Sequence, residues 1–510
     1  IYESDTDVAT FNFVEQNNVV VVTVDNETIA AALKTNVSNL VLTLSADAVV
    51  EVSAWNSPYY IGGANTTAIT INGNGNKLTF NHNNTDWNYV RCLNDNAVLT
   101  IENAKLSNSG NNNGPWNRHD ITFYNNVVLR DVTSDKAIAL CSGADLTNVT
   151  ISDVHVDKSN AYALWIRPNG QTVNIKNCQL LAHESKKADR GIKIDEQYID
   201  APAKVTLNVD GLKVKSQKKA AIVVKSKAGA EINLNNVDIT EVKADNVNAV
   251  WVDEASAAYA DKVVVNGGSV IVEGATVVAD ASQLADAVKV ANATVQLPAG
   301  TYTMPTNVGA GVTIVCAEGA TFQGKSGLNI NGATVIGATF KNEGGNAVSG
   351  TINGTFKNCT FTGSNALRSC YAGETVVFEN CVFSGNTYGV HFDGGANDAT
   401  FKGCTFSGFN AFGAALTQLT LEDCTFVGNG KSGYNGANLW GSTAMKNCEF
   451  TFDGTSGTEW VDCIGADKQY SFENCTVNGV AYTADNYATF ESIFSRSNVT
   501  VTIDGVDRAM

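Results

Sequence analysis

Proline, methionine and histidine are scarce, at 6, 3 and 5 of 510 residues, and charged side chains make up only 17%. So little proline leaves long stretches in which every backbone N–H can join a sheet ladder. No apolar run reaches the roughly 18 residues that a membrane-spanning helix needs. No cluster of Lys and Arg offsets a net charge of −17, which argues against nucleic acid or an anionic membrane as partner. No Cys-x-x-Cys occurs among the 12 cysteines, so a metal site is not indicated. An initiator Met and a leader segment are also missing. Ile1 reads as a trimmed start, and export cannot be read from it.

What is present is a repeat. Phe356-Lys-Asn-Cys-Thr-Phe361 returns as Phe378-Glu-Asn-Cys-Val-Phe383, Phe401-Lys-Gly-Cys-Thr-Phe406, Leu421-Glu-Asp-Cys-Thr-Phe426, Met445-Lys-Asn-Cys-Glu-Phe450 and Phe472-Glu-Asn-Cys-Thr-Val477. A period of about 20–27 residues signals stacked coils rather than a globule. Phe356 and Phe361 are an odd number of residues apart, so a straight strand would set them on opposite faces. A bend between them returns both to the inside. It falls on Asn358, Asn380, Gly403, Asp423, Asn447 and Asn474, residue types that accept a left-handed backbone. The weaker pattern upstream places corners at Asn103, Asp131, Asp153, Asn177, Gly211, Asn236, Gly267, Gly319 and Gly337. Cys178, Cys359, Cys381, Cys404, Cys424, Cys448 and Cys475 each follow a corner. Stacked in register they form an inward ladder of small thiols, a packing role rather than a set of disulfides.

Two amphipathic stretches punctuate the coils. Asn26 is expected to cap a helix near 27–35 that buries Ile29, Ala32 and Leu33, and Ser282 one near 282–292 that buries Leu284, Ala287, Val288 and Ala291. Such helices plug the open end of a solenoid. A second plug in mid-chain predicts two domains, 1–274 and 275–510, the latter closed by a helix near 485–495 through Tyr487, Phe490 and Phe494.

A further frame, a small residue followed by in–out–in–out alternation, recurs at Ala163–Arg167, Gly191–Asp195, Ala221–Lys225 and Ala249–Asp253. Its outward positions predict one column of Trp165, Lys193, Val223 and Trp251, and beside it another of Arg167, Asp195, Lys225 and Asp253. Tyr89–Leu93 extends the frame and adds Arg91. Outward Trp rings among charged groups suit a sugar, whose faces stack on rings while its hydroxyls or carboxylates take the charged donors. The plainer alternative is a solvated salt-bridge ladder. In the second half the same frame predicts a column of Arg368, His391 and Asp462, with Asp393 beside His391. That trio suits acid–base work on an acidic sugar, against the plain reading of a surface His next to an Asp. Trp55–Tyr60, with Trp87, Tyr89 and Trp116, reads as a binding patch or as packing under the cap.

This coil grammar resembles the right-handed parallel β-helix proteins of the pectin-lyase-like superfamily. Leu297-Pro-Ala-Gly-Thr-Tyr302, just after the second helix, is similar to the opening of many such domains. The resemblance implies an all-β fold of two tandem right-handed parallel β-helices (β-solenoids), each with a short N-terminal cap helix. Polygalacturonase-type hydrolases of this fold carry Asn-Thr-Asp, Asp-Asp, Gly-His-Gly and Arg-Ile-Lys on successive coils. Here Asn84-Thr85-Asp86 occurs and Arg190-Gly191-Ile192-Lys193 is loosely similar to the last motif, while the other two are missing. Pectate lyases use Ca²⁺ on acidic clusters, for which Asp195, Glu196, Asp253 and Glu254 are the residues available. The expectation is an exported or cell-surface, adhesin-like protein that binds polysaccharide or host glycan without catalysis and without a cofactor. The alternative is a polysaccharide lyase or glycoside hydrolase acting on an acidic polysaccharide, with Ca²⁺ if a lyase.

Overall fold

The computed structural model describes residues 14–16, 19–51, 59–81, 89–108, 120–154, 162–182, 188–197, 199–215, 217–239, 249–278, 280–394, 398–408, 410–414, 418–428, 437–452, 461–463, 467–490, 494–496 and 499–509. The chain divides into two compact units, Ile1–Glu273 and Gly274–Met510. Each is a parallel β-helix. In the first, one sheet stacks Val19–Val24, Asn39–Leu44, Ala68–Asn72, Val98–Asn108, Asn126–Ser134, Ala144–Thr147, Thr172–Ala182, Val205–Lys215, Ala230–Ile239 and Val263–Asn266 in sequence order. It holds the bends and is called here the corner sheet. The other, the frame sheet, runs from Tyr59–Ile61 to Ser269–Val272. Neighbouring coils in such a stack lie about 4.8 Å apart. Among the described residues no helix is long and apolar enough to cross a membrane.

The corners hold the register. Fourteen of the expected positions have positive φ, from 49° at Asn358 to 86° at Gly319. Asp153 is the exception. It lies inside strand Thr150–Val154, and the bend of that coil falls on Asn148, φ 54°. Asn148 continues the register in which Thr147 faces Lys176, the residue before the corner Asn177. Asn148 Nδ2 also donates to Asp131 Oδ1 on the coil before, at 2.8 Å.

Because each corner resets the strand by the same amount, identical positions stack. In the second unit Phe340, Phe361 and Phe383 lie ring on ring at 4.8 Å with interplanar angles of 4° and 8°. Phe378 and Phe401 form a second stack at 4.9 Å. The two stacks meet edge to face, as at Phe378–Phe383, 83°, the geometry that ring quadrupoles favour. All twelve cysteines are free thiols. The ladder thiols face inward and donate to backbone carbonyls, as Cys359 Sγ does to Lys357 O at 3.3 Å and to Val335 O at 3.5 Å. Burial pushes the Cys178 thiol above its ordinary value, so this sulfur packs as a small hydrophobe.

The ends are closed differently from expectation. The first helix is one turn, Ile29–Ala32, opened by Thr28 over an Asp25 turn. Asn26 instead accepts from Val49 N, at 2.8 Å. The second helix is Ala281–Ala287, and its cap is Asp280, whose Oδ1 accepts from Ser282 N and Gln283 N. A carboxylate outcompetes the Ser hydroxyl here because it also meets the helix dipole. At the far end Tyr487–Phe490 is a single 3₁₀ turn and Phe494 begins a strand, so no helix spans 485–495. Antiparallel hairpins, Thr500–Ile503 against Val506–Ala509 and Cys475–Val477 against Val480–Tyr482, pair the edge instead.

Gly337 and Gly479 share nearly the same dihedral, φ 73° and 76°, but a Cβ on Gly337 would lie 2.9 Å from Cys316 O while one on Gly479 meets nothing within 4 Å. Gly479→Ala is therefore expected to cost only the left-handed strain of about 1–2 kcal/mol. Gly337→Ala should cost more, read as a larger fall in the denaturant midpoint.

Candidate functional site

The frame sheet places the expected columns in register and then buries most of them. Trp165 faces Lys193, Lys193 faces Val223 and Val223 faces Trp251 across successive strands. Their exposures are 3%, 4%, 1% and 8%, so this column is not a solvent-facing stacking platform. Neighbouring side chains close around these positions, and a short helix packs over the strands at the far end of the column. Trp165 Nε1 donates to Asp195 O at 3.2 Å, and the Tyr162 ring lies 5.4 Å from the Trp165 ring. Ala220, Val223 and Trp251 form an apolar cluster with Ile271. The 3₁₀ helix Glu254–Lys262 packs on the strands around it.

Lys193 is the centre of these contacts. Its Nζ is 3.0 Å from Asp195 Oδ2, 4.3 Å from the Trp165 ring centre and 4.8 Å from that of Tyr162. Burial pushes its amine below the ordinary value, and Asp195 opposes that shift. The second column is also rearranged. Asp195 faces Lys225 in register but pairs along its own strand with Lys193, not as a rung of a coil-to-coil ladder. Arg167 lies 5.5 Å from the Trp165 ring centre, with Nη1 3.7 Å from Cys141 Sγ. Asp253 and Glu273 both face Arg190, each at 3.6 Å from Nη2. Arg190, 3% exposed, was legible only as part of Arg190-Gly-Ile-Lys, and nothing in that run signals its two carboxylates.

The acidic oxygens here are met by backbone donors. Asp195 Oδ1 accepts from Gln197 N, Glu196 Oε2 from Lys227 N and Asp253 Oδ1 from Ala255 N. Among the described residues no three His, Cys, Asp or Glu side chains are placed to hold a metal ion.

The exposed chemistry of this sheet lies in its early coils. Tyr60 faces Arg91, and Tyr124 N bonds Val90 O, which sets Tyr124 beside Arg91 on the next coil. The three planar groups form a deck with Arg91 Cζ 4.1 Å from the Tyr124 ring centre and 6.0 Å from that of Tyr60. Tyr60 and Tyr124 are 38% and 37% exposed, and Leu93 beside them 50%. Asp95 takes Nε and Nη2 of Arg91 at 2.8–2.9 Å, a charge-assisted fork. Asn125 holds the turn that carries this carboxylate, donating to Asn94 O and Asp95 O and accepting from Cys92 N. Lys34 bonds Tyr60 O and lies 4.1 Å from the Tyr59 ring. Arg91 was expected at this site. Tyr124 was missed, because Phe123-Tyr124 follows a stretch without the frame's small residue.

The second unit repeats the device. Arg368 Cζ lies 3.9 Å from the Tyr388 ring centre, Tyr388 is 4.9 Å from the His391 ring and His391 5.5 Å from Trp440. His391 faces Gly413 and Gly413 faces Asn438, so the coil next to His391 presents no side chain at that register. Asp393 and Asp462 lie on strands, but their side chains are outside the described set, and the expected His391–Asp393 pair is therefore not described. Trp55, Asn84, Thr85, Asp86, Trp87, Trp116 and Trp460 also fall outside the described residues.

The fold and these columns define a parallel β-helix protein. Residues 307–450 and 346–503 match the family model described as right handed beta helix region, which covers most of the second unit and agrees with the pectin-lyase-like coil pattern. No curated protein and no solved structure shows significant similarity to the chain.

If Lys193–Asp195 is a buried structural pair, Asp195→Ala should cost about 3–5 kcal/mol by stranding the ammonium, and adding Lys193→Met should restore most of it. The folded amine titrates below the ordinary 10.5, so the unfolded chain holds this proton more tightly. Stability is therefore expected to rise with pH from the folded value up to 10.5, and Lys193→Met should remove that rise in pH-dependent denaturation.

Proposed function

We propose that the chain is a non-catalytic glycan-binding protein, secreted or displayed at the cell surface, whose Tyr60–Arg91–Tyr124 deck meets the sugar. The observation that carries this reading is the exposed arginine-on-tyrosine stack, which recurs at Arg368 and Tyr388 in the second unit. The deck offers exposed tyrosine surface and the Arg91 Nη1 that Asp95 leaves unused, a mixture of apolar and hydrogen-bonding surface suited to a polyhydroxyl ligand. Its guanidinium is held flat by Tyr124 and Asp95 before any ligand arrives, which lowers the ordering cost of binding.

A non-catalytic role is favoured by the state of the carboxylates. Inverting hydrolysis needs two free carboxyl groups about 6.5–9.5 Å apart, whereas Asp195, Glu196 and Asp253 are each committed to protein partners.

The test is to incubate the chain with acidic and neutral polysaccharides, with and without Ca²⁺, following unsaturated uronates, reducing ends and bound ligand. Binding without products is expected, weakened about tenfold by Tyr124→Ala or Arg91→Ala. Product formation, or binding that both variants leave unchanged, would overturn the reading.

A further inference from the structure

The corner sheet of the first unit carries an array that neither the deck nor the buried cluster uses. At its outward position Asp145, Asn174, Asn208, Asn233 and Asn266 face one another on successive coils. They are joined in one direction. Asn266 Nδ2 donates to Asn233 Oδ1 at 2.6 Å, Asn233 to Asn208 at 2.7 Å, Asn208 to Asn174 at 2.8 Å and Asn174 to Asp145 Oδ1 at 2.6 Å. These side chains floor a shallow trough that runs along the stack from Val128 to Gly267.

An amide has two N–H donors and two acceptor lone pairs. The ladder takes one of each from Asn174, Asn208 and Asn233, and leaves one of each facing the trough. The amide rotamers are already fixed by their neighbours, so a ligand would not bear that entropy. The free groups recur at the coil spacing of about 4.8 Å. A complementary ligand must be extended, must lie along the stack, and must repeat groups that both donate and accept. Hydroxyls do both. A peptide strand is a poorer fit, since along the face of the trough the backbone groups are spent on coil pairing. Charge narrows the class. Arg130 and Lys176 balance Asp145 and Asp210 along the trough, within a chain of net charge −17. A polyanion gains nothing here.

We propose that the asparagine-floored trough is a second binding site, for an extended, uncharged, polyhydroxylated chain such as a linear neutral hexose polysaccharide. It lies on the other sheet from the deck and stands or falls independently of it.

The experiment titrates the full chain by calorimetry with linear neutral hexose oligosaccharides of increasing length, with oligogalacturonate as the charged comparison. Affinity for the neutral series should climb with length and level off once the oligomer spans the amides. In an Arg91→Ala background, in which the deck no longer contributes, Asn208→Leu combined with Asn233→Leu should lower it at least about tenfold. Asn208→Asp keeps the acceptor for Asn233 at the same size and should also weaken binding, which covers the case in which the double variant folds poorly. Affinity independent of length, preference for oligogalacturonate, or full binding by the Asn208→Asp chain would overturn the proposal. Loss of neutral binding in Arg91→Ala, with the trough variants unaffected, would overturn it while leaving the deck reading intact.

Discussion

Most coils in these units turn on a left-handed residue at one register position. A single positive φ turns the strand by enough to bring both flanking apolar side chains inward, and only Asn, Asp or Gly accept it without about 1–2 kcal/mol of strain. Because the bend recurs at one register position, side chains at equal distance from it stack. The phenylalanine stacks, the thiol ladder, the asparagine floor and the Tyr60–Arg91–Tyr124 deck all descend from that one constraint. Stacking then decides what each column can be. Inside, it rewards identical rings and small thiols. Outside, it rewards groups that bond their own kind, as amides do, or that alternate in charge.

The alternation is clearest beside the second unit's corners. Lys357, Glu379, Lys402, Glu422, Lys446 and Glu473 face one another in turn. Three pairs close to salt-bridge distance, Lys357–Glu379 at 3.0 Å, Lys402–Glu422 at 2.9 Å and Lys446–Glu473 at 2.7 Å. Exposed pairs such as Lys402–Glu422 and Lys446–Glu473 contribute little each, so their energetic weight is far below that of the ring stacks beneath them.

The coil fold was legible because its signal is local. Corner residues declare their dihedral, and the apolar positions around them declare their face. Asp153 misled because it also sits between apolar residues, while the corner Asn148 is followed by Val149-Thr-Ile151. Cap positions misled for a related reason. Asn26 and Ser282 have the right side chains, but Asp25 and Asp280, one and two residues earlier, make the bonds. The site was less legible, since outward is not the same as exposed. Alternation along a strand fixes the side of the sheet, but whether that side meets water depends on what folds back over it. Trp165, Lys193 and Trp251 point outward and are buried all the same, and the partners of Arg190, Asp253 and Glu273, lie just past the ends of strands far along the chain.

The strict alternation of Lys and Glu also makes the stack distinguish odd from even. A coil that skipped its neighbour and docked on the one before would set Lys against Lys or Glu against Glu at that junction, while the phenylalanines inside would fit almost as well as before. Hydrophobic burial cannot tell those two alignments apart. The charges can, because like residues directly opposite repel. A column too weak to hold the stack together therefore works as a parity check on its assembly, penalising the misalignment that the repeats would otherwise permit.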